Sequence, residues 1–288
     1  MDVAAIILTW NEAQLTKAAA RSVLPAVSVV YVVDNGSCRA VTEELAAFCV
    51  ATGSVLVRND ENLGYAGGNN RGISRALAAG HEGLLIMNND AAACPGAVEL
   101  LVSRLGAAPG VGVVAPTVVA AGSGEVLHTH CSLDEATGRA RWEERGIGRA
   151  EIDPSPRRTG YAGGEAFLAR AEVFGHCGGF DEGYSYYFED VEWSLRVRRA
   201  GWELETVPSA VFTHVVGATM PSVPGLFHRA RSRSLFLRRA LGHSRWGALR
   251  RSAPVDLVVV GSLVRHGQIW PALRGEVAGW IAGIAARH

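Results

Sequence analysis

Apolar residues in the first third of the chain fall in short continuous runs, and each run stops at a polar cluster. Val3 to Thr9, Val29 to Val33, Val55 to Arg58 and Leu84 to Met87 all read this way. Runs without polar alternation predict strands covered on both faces, as in a mainly parallel sheet. Helix-length segments lie between them, the first opening at Asn11 and Glu12 and reaching about Val23. Strand and helix patterns alternating at this spacing predict βαβ units and hence an α/β fold.

The ends of these runs carry the candidate chemistry. Asn11, Asp34, Asn62 and Asp90 follow the four runs in turn, and a parallel arrangement lines them along one sheet edge, where open α/β sheets bind ligands. Such an edge suits a nucleotide, because a carboxylate accepts from base N–H groups and ribose hydroxyls. Asp34 to Gly36 also read as a plain turn, and Asn88 to Asp90 as a cap for a helix announced by Pro95 and Gly96. The recurrence after all four runs favours the ligand reading, with Asp90 as the candidate metal ligand. The stretch from Gly64 to Gly72 lacks both the Gly-Lys-Ser/Thr of a P-loop and the spacing of a dinucleotide fingerprint. Gly67 and Gly68, read as lying before a helix, would let backbone approach a diphosphate at its N-terminus, with Arg71 as charge partner.

Further along, Val111 to Val119 reads as a strand, and 120–158 is a stretch of mixed charge with little periodicity, where acceptor specificity could lie. His128 and His130 share a face if that stretch is extended, and neither reads as a metal ligand. Tyr187 to Arg196 has acids at its start, arginines at Arg196, Arg198 and Arg199, and Gly201 beyond, the pattern of a helix whose charges match its dipole. Trp202 to Val207 and Ala210 to Thr213 predict two short strands ending at His214. Gly217 to Gly225, with Pro221 and Pro224, then breaks the chain into a 1–216 catalytic domain and a 217–288 helical segment. From Arg229 to Arg251 there are eight arginines and no acid. Leu226, Ala230, Leu237 and Leu241 form one apolar stripe, so this helix is expected to dock by its stripe and leave a solvated basic face. Val255 to Val264 and Ile269 to Ala286 add apolar helical surface for packing, a homodimer or peripheral membrane contact.

Composition narrows the picture. A chain of 288 residues can bury a sizeable core. Its 28 basic and 28 acidic residues cancel, which argues against nucleic acid as a partner. Lys17 is the only lysine, read as a coding bias. The cysteines, Cys38, Cys49, Cys94, Cys131 and Cys177, are odd in number and form no CxxC pair, as in a reducing cytoplasm. No signal peptide precedes the first strand, and Val255 to Val264 is too short to span a bilayer and contains Asp256. The expected location is cytoplasmic, including the inner face of the membrane.

Four blocks in order, Ile6 to Asn11, Val32 to Ser37, Asn62 to Gly72 and Met87 to Asp90, resemble those of family 2 inverting glycosyltransferases, and most closely a rhamnosyltransferase-like branch. The resemblance covers about 3–215. It implies a GT-A fold, a Rossmann-like domain that binds a nucleoside-diphosphate sugar and a divalent cation, Mg²⁺ or Mn²⁺. By it, Thr9, Asn11, Asp34, Asn62, Gly67, Gly68, Asn69, Arg71, Asn88 and Asn89 line the nucleotide-sugar site, with Asp34 on the base. Asp90 closes a DxD-type motif whose first aspartate is here Asn88, which lowers the charge of the metal site. His214 completes the metal or diphosphate site, and Gly163, Gly164 and Glu165 face the sugar and acceptor. In the Phe188 to Glu192 block, Asp190 matches the general base, with Glu189 beside it. The implied reaction is a single displacement by an acceptor hydroxyl, its proton taken by a carboxylate. The favoured donor is a dTDP-sugar such as dTDP-rhamnose, then a UDP-hexose, and the acceptor a glycan intermediate or secondary metabolite. Two alternatives are a nicotinamide-dependent oxidoreductase, although Thr9 to Ala13 contains no glycine, and a sugar-nucleotide binder without catalysis.

Overall fold

The computed structural model describes residues 1–184, 186–215, 223–244, 246–248, 250–251 and 269–285. The first half is built as the apolar runs require. Strands β1 (Val3–Thr9), β2 (Val29–Asn35), β3 (Val55–Asn59) and β4 (Gly83–Asn88) alternate with helices α1 (Ala13–Val23), α2 (Arg39–Thr52) and α3 (Gly64–Ala78). All four strands are parallel, in the order β3-β2-β1-β4. Because β1 has β2 on one side and β4 on the other, the sheet changes direction of winding there. The crevice lies at Thr9 and Asn88, next to the register pair Leu8 and Asn88.

Period-two packing explains why these strands are continuously apolar. Ala5 and Ile7 face a core with α1 and α2, while Ala4 and Ile6 face one with α3. No described helix is long and apolar enough to cross a membrane.

The second half adds β5 (Ala91–Ala93), α4 (Ala97–Ala107), β6 (Val111–Ala120), β7 (Val126–His128), β8 (His130–Asp134), β9 (Arg139–Glu143), β10 (Arg157–Arg158), β11 (Ala166–Arg170), α5 (Ala171–Cys177), α6 (Glu189–Arg199) and β12 (Glu203–His214). β11 inserts antiparallel between β4 and β6, and β12 runs parallel to β6 with β5 paired on its end. The stretch expected to lack periodicity thus holds four short strands, β7 to β10, and β8 and β9 form a hairpin of their own. The two short strands expected before His214 are one strand. Its register shifts between Val207 and Val211, where Pro208 has no N–H for the ladder and its carbonyl accepts from Thr117 Oγ1 at 3.0 Å.

Among the described residues, helices α7 (Val223–Arg239) and α8 (Ile269–Ala285) follow, with further helical residues at 246–248 and 250–251. Of the expected chain break, 217–222 lies outside the described residues, as does Val255 to Val264. Pro224 and Gly225 belong to the first turn of α7. The basic face is solvated only in part: Arg239, Arg250 and Arg251 are exposed and Arg233 is buried. Ser232 to Leu237 are all buried, with Leu235 and Phe236 in one cluster with Tyr184, Val191 and Leu195. Arg231 donates to the Gly183 carbonyl at 2.9 Å and Arg238 to that of Gly283 at 2.7 Å. Arginines that satisfy buried carbonyls can sit inside a helix packing, so charge alone did not mark a wet face.

Candidate active site

The two ends of the candidate metal site meet because β5 turns back onto β12. Ala91 pairs with His214, and Val215 N–H donates to the Asp90 carbonyl at 3.0 Å. That places Asp90 Oδ1 3.2 Å from His214 Nε2. The oxygen is buried and makes no aligned hydrogen bond. Burial opposes charge on His214, but its contact with Asp90, and the nearby Glu165, outweigh it and raise its pKa. The capping role considered for Asn88 to Asp90 is not observed, since β5 intervenes and α4 starts after Gly96 without a side-chain cap.

Among the described residues no three His, Cys, Asp or Glu side chains gather around one point. The pair Asp90 and His214 nevertheless fits a small hard cation: an orphaned carboxylate oxygen lies beside an imidazole nitrogen, about the 3 Å spacing of neighbouring ligands in an octahedral shell. Such an ion would take its remaining ligands from diphosphate oxygens and water.

The nucleotide edge is held by side chains that bond one another. Asp34 is fully buried, accepting from Ser37 N–H at 3.0 Å and Thr42 Oγ1 at 2.6 Å. Both oxygens therefore serve the loop after β2, and no exposed oxygen is available to a base. Asn11 closes the same loop, with φ +60, donating its N–H to Ser37 Oγ and accepting from Cys38 N–H, both at 2.8 Å. Asn62 Oδ1 accepts from Asn35 Nδ2 and Gly64 N–H, both at 2.9 Å. Asn35, which sequence reasoning passed over as a turn residue, is the hub that also binds Asn59 and Leu63. Thr9 accepts from Thr16 Oγ1 at 2.7 Å and from Asn89 Nδ2 at 3.4 Å.

Four residues expected at the nucleotide-sugar site, Gly67, Gly68, Asn69 and Arg71, lie within α3. Gly67 and Gly68 lie inside α3, not before it, and a Cβ on Gly68 would strike the Leu8 side chain. Glycine is needed there for close packing on β1. Asn69 is buried and donates to the Tyr65 carbonyl at 3.0 Å within the same helix. Arg71 is exposed and lines a hollow beside Asn59, Asp60 and Arg75.

Asn88, His214, Glu189 and Asp190 all line one cleft of about 480 Å³. Glu189 and Asp190 open α6, whose entry is strained: Tyr187 and Phe188 both have φ +67. Bulky residues seldom adopt this conformation, and consecutive ones mark a position fixed by its surroundings. Asp190 Oδ2 accepts from Gly164 N–H at 3.0 Å and Oδ1 from Val191 N–H at 2.8 Å. The Gly164 carbonyl in turn accepts from Tyr65 Oη at 2.8 Å. Burial, then the charge of Glu165, pushes Asp190 up to about 6, against the pull of these N–H groups. Glu189 lies well above the ordinary carboxyl range, through burial and then through Asp190, and its Oε2 is buried without a partner. Of the two carboxyls, Glu189 is displaced further from the ordinary range. Tyr65 is pushed well above its usual value by burial and the surrounding acids, so it remains a donor.

Sequence reasoning missed several wall residues. Trp142, Tyr161, Tyr186 and Tyr187 supply apolar and aromatic surface, and Arg229 and Arg233 of α7 reach the same cleft. The arginines stand four apart, one helical turn, a spacing that was legible once α7 was known to cover the cleft. A larger hollow of about 640 Å³ lined by Arg158, Arg198, Arg199 and Trp202 contains none of the candidate residues. Its arginines pair with Glu135 and Glu203.

A family model described as glycosyltransferase like family 2 matches residues 2–236. The chain belongs to that family. As a family 2 glycosyltransferase it uses a sugar-nucleotide donor, which removes the oxidoreductase and the non-catalytic binder. It is 28% identical over 255 residues, covering 81% of both chains, to an N-acetylglucosaminyl-diphospho-decaprenol L-rhamnosyltransferase of Mycobacterium tuberculosis. The fold matches GalNAc-T7 solved with UDP, GalNAc and Mn²⁺ (TM-score 0.65, 16% identity, covering 83% of this chain and 48% of that one). It also matches the mannosyltransferase PcManGT of Pyrobaculum calidifontis solved with GDP-Man and Mn²⁺ (TM-score 0.59, 17% identity, covering 98% and 85%). The glycosyltransferase thus has the GT-A architecture expected from its sequence, and it spans about half the length of GalNAc-T7.

Proposed function

We propose that this glycosyltransferase inverts configuration at the anomeric carbon, with Asp190 as general base, and that it moves a deoxysugar, L-rhamnose, from dTDP-rhamnose to a hydroxyl of a diphosphate-linked N-acetylglucosaminyl lipid. The observation that carries the inverting reading is the cleft itself. Asn88 and His214 line it, with Asp90 Oδ1 3.2 Å from His214 Nε2, and the hydrogen-bonded Asp190 lines it from the start of α6. A single displacement needs the leaving diphosphate and the base on opposite sides of the sugar, and one ionised carboxylate suffices for it. The rhamnosyl donor and lipid acceptor rest on the mycobacterial relative, whose name states both the sugar and the acceptor.

In this reading Asp90 and His214 hold the divalent cation, which when bound would neutralise charge on the leaving diphosphate. Arg229 and Arg233 add positive charge from α7 that attracts the anionic diphosphate directly, where Asn88 leaves the cation one carboxylate fewer. Asp190, oriented by Gly164 and Val191, accepts the acceptor's hydroxyl proton, and protonated Glu189 donates a hydrogen bond to the acceptor. The aromatic wall of Trp142, Tyr161, Tyr186 and Tyr187 excludes water and packs on the apolar faces of sugars. The test is transfer from dTDP-rhamnose to a short-chain polyprenyl diphosphate-linked N-acetylglucosamine, with the anomer of the product read by NMR. Inversion is expected; retention would overturn the single displacement, and transfer only from UDP-hexoses would overturn the rhamnosyl donor.

A further inference from the structure

Beside the proposed base sits a second buried acid that the reaction as described does not use. Glu165 follows Gly163 and Gly164, and each glycine makes room for one carboxylate. A Cβ on Gly163 would collide with Glu165 Oε2, and one on Gly164 would meet Tyr65 Oη at 3.0 Å and Asp190 Oδ2 at 3.6 Å. The glycine pair thus seats Glu165 back over its own loop while presenting Gly164 N–H to Asp190. The loop is itself pinned to the metal-site strand, since Asn88 N–H donates to the Glu165 carbonyl at 3.0 Å.

Behind Glu165 lies His128. Its Nε2 is 3.7 Å from Glu165 Oε2, and both atoms are buried without a hydrogen bond. The imidazole is only 3% exposed and is stacked on Trp142, with centroids 5.2 Å apart and planes at 29°. Its Nδ1 is 3.8 Å from Cys131 Sγ. A histidine wedged this way cannot turn away, so it fixes where the Glu165 carboxylate stands. Two facing polar atoms left unpaired in a buried place are costly, and a structural role for the loop alone would be met as well by an apolar pair.

We propose that Glu165, anchored by His128, is a positioning residue for the transfer: it keeps a fixed negative charge next to Asp190, so that the proton leaving the acceptor is drawn to that carboxylate. This rests on Asp190 being the base. Burial alone would push the Glu165 carboxyl up, but His128, with a smaller contribution from His214, holds it below the ordinary value, so the charge is present at working pH. Like charge from Glu165 is in turn the second cause, after burial, that raises Asp190. The other titratable groups around Asp190 are Tyr65 of α3, Cys131 of β8, Tyr161, Tyr186, Tyr187, Glu189 of its own helix, His214 of β12, and Arg229 and Arg233 of α7. Tyr65, Tyr161 and the Cys131 thiol are uncharged and Glu189 holds its proton, so Glu165 is the anion acting on Asp190.

The test is a carboxyl titration of the free full-length protein by carbon-13 NMR, with the Asp190 signal assigned by its disappearance in Asp190→Asn. No donor is needed. In the parent Asp190 titrates near 6; in Glu165→Gln its midpoint is expected to fall by about one pH unit. His128→Ala is expected to move it in the same direction, and adding it to Glu165→Gln to change little more, because both act through one charge. An unmoved midpoint in Glu165→Gln overturns the proposal, as does loss of the thermal shift given by dTDP with Mn²⁺, which would put Glu165 on the nucleotide. If Glu165→Gln does not fold, an unmoved midpoint in His128→Ala overturns it equally. Failure of the base assignment is separate and shows as Asp190→Asn turning over at the parental rate.

Discussion

At the scale of single residues, two acids side by side differ in role because their surroundings differ. Asp190 receives two backbone N–H groups and Glu189 Oε2 receives none. Asp190 works as a base only when ionised, so kcat/KM is expected to rise with pH through about 6 and level off above it. The same shift acts on folding in the opposite sense. A carboxyl whose pKa is raised in the folded state favours folding most when protonated, and that contribution is lost as pH climbs from the ordinary carboxyl value through about 6. Asp190→Asn should therefore lower turnover by about 10²- to 10⁴-fold while melting at pH 8 no lower than the parent. A variant that keeps full activity would remove Asp190 from the base position. The sequence offered Asp90 as the end of an apolar run and Asp190 through the resemblance of its block, although the local patterns alone also read as a turn and as a helix start. Asn35 and His128 were not legible, since their importance lies in partners 24 or more and 37 residues away along the chain, a separation no local pattern records.

Elements show why a correct motif can carry a wrong role. The glycines of α3 look alike whether they cradle a phosphate or let a helix sit close to a strand. The deciding fact is the Leu8 side chain under Gly68, with Ile6 Cγ2 only 2.5 Å from where a Cβ on Gly72 would stand. Both contacts depend on how α3 crosses β1, which periodicity leaves open. Gly68→Ala is accordingly expected to destabilise by about 1–3 kcal/mol through overpacking, read as a lower denaturation midpoint. The folded variant should bind dTDP as tightly as the parent. An unchanged midpoint with weakened dTDP binding would return Gly68 to the diphosphate site. Helix α7 teaches the same lesson from charge: an arginine-rich stretch looked solvated, yet its carbonyl partners at Gly183 and Gly283 let it pack between the catalytic core and α8. Residues of α8 confirm how close that packing is, since a Cβ on Gly283 would lie 2.5 Å from Ser234 Cβ.

For the whole molecule, the cleft is made where two halves of different logic meet. The parallel half from β1 to β4 was readable strand by strand. The antiparallel insertion of β11 between β4 and β6 was not, because the pairing of Leu168 with both Leu85 and Val114 is a non-local choice. Cross-links such as Tyr65 to Gly164 and Asn70 to Phe180 and Glu182 tie the halves together. A ligand seated between them should thus stabilise the molecule as a unit, by RT ln(1 + [L]/Kd), about 2.7 kcal/mol at a hundredfold excess over Kd. For a chain of this size that is a rise in melting temperature of several degrees. If Asp90 and His214 are the cation's ligands among the described residues, as proposed, the cation would be held mainly through diphosphate oxygens, so metal and nucleotide should each need the other. dTDP with Mn²⁺ is then expected to raise the melting temperature, while dTDP in EDTA or Mn²⁺ alone has little effect. Asp90→Ala should abolish the synergy and leave the unliganded melting temperature close to that of the parent, because the lost contact is one partly buried ion pair with a groove-facing imidazole. Should dTDP stabilise equally with and without Mn²⁺, Asp90 and His214 would be an ordinary ion pair, and the arginines of α7 would be left to carry the diphosphate charge.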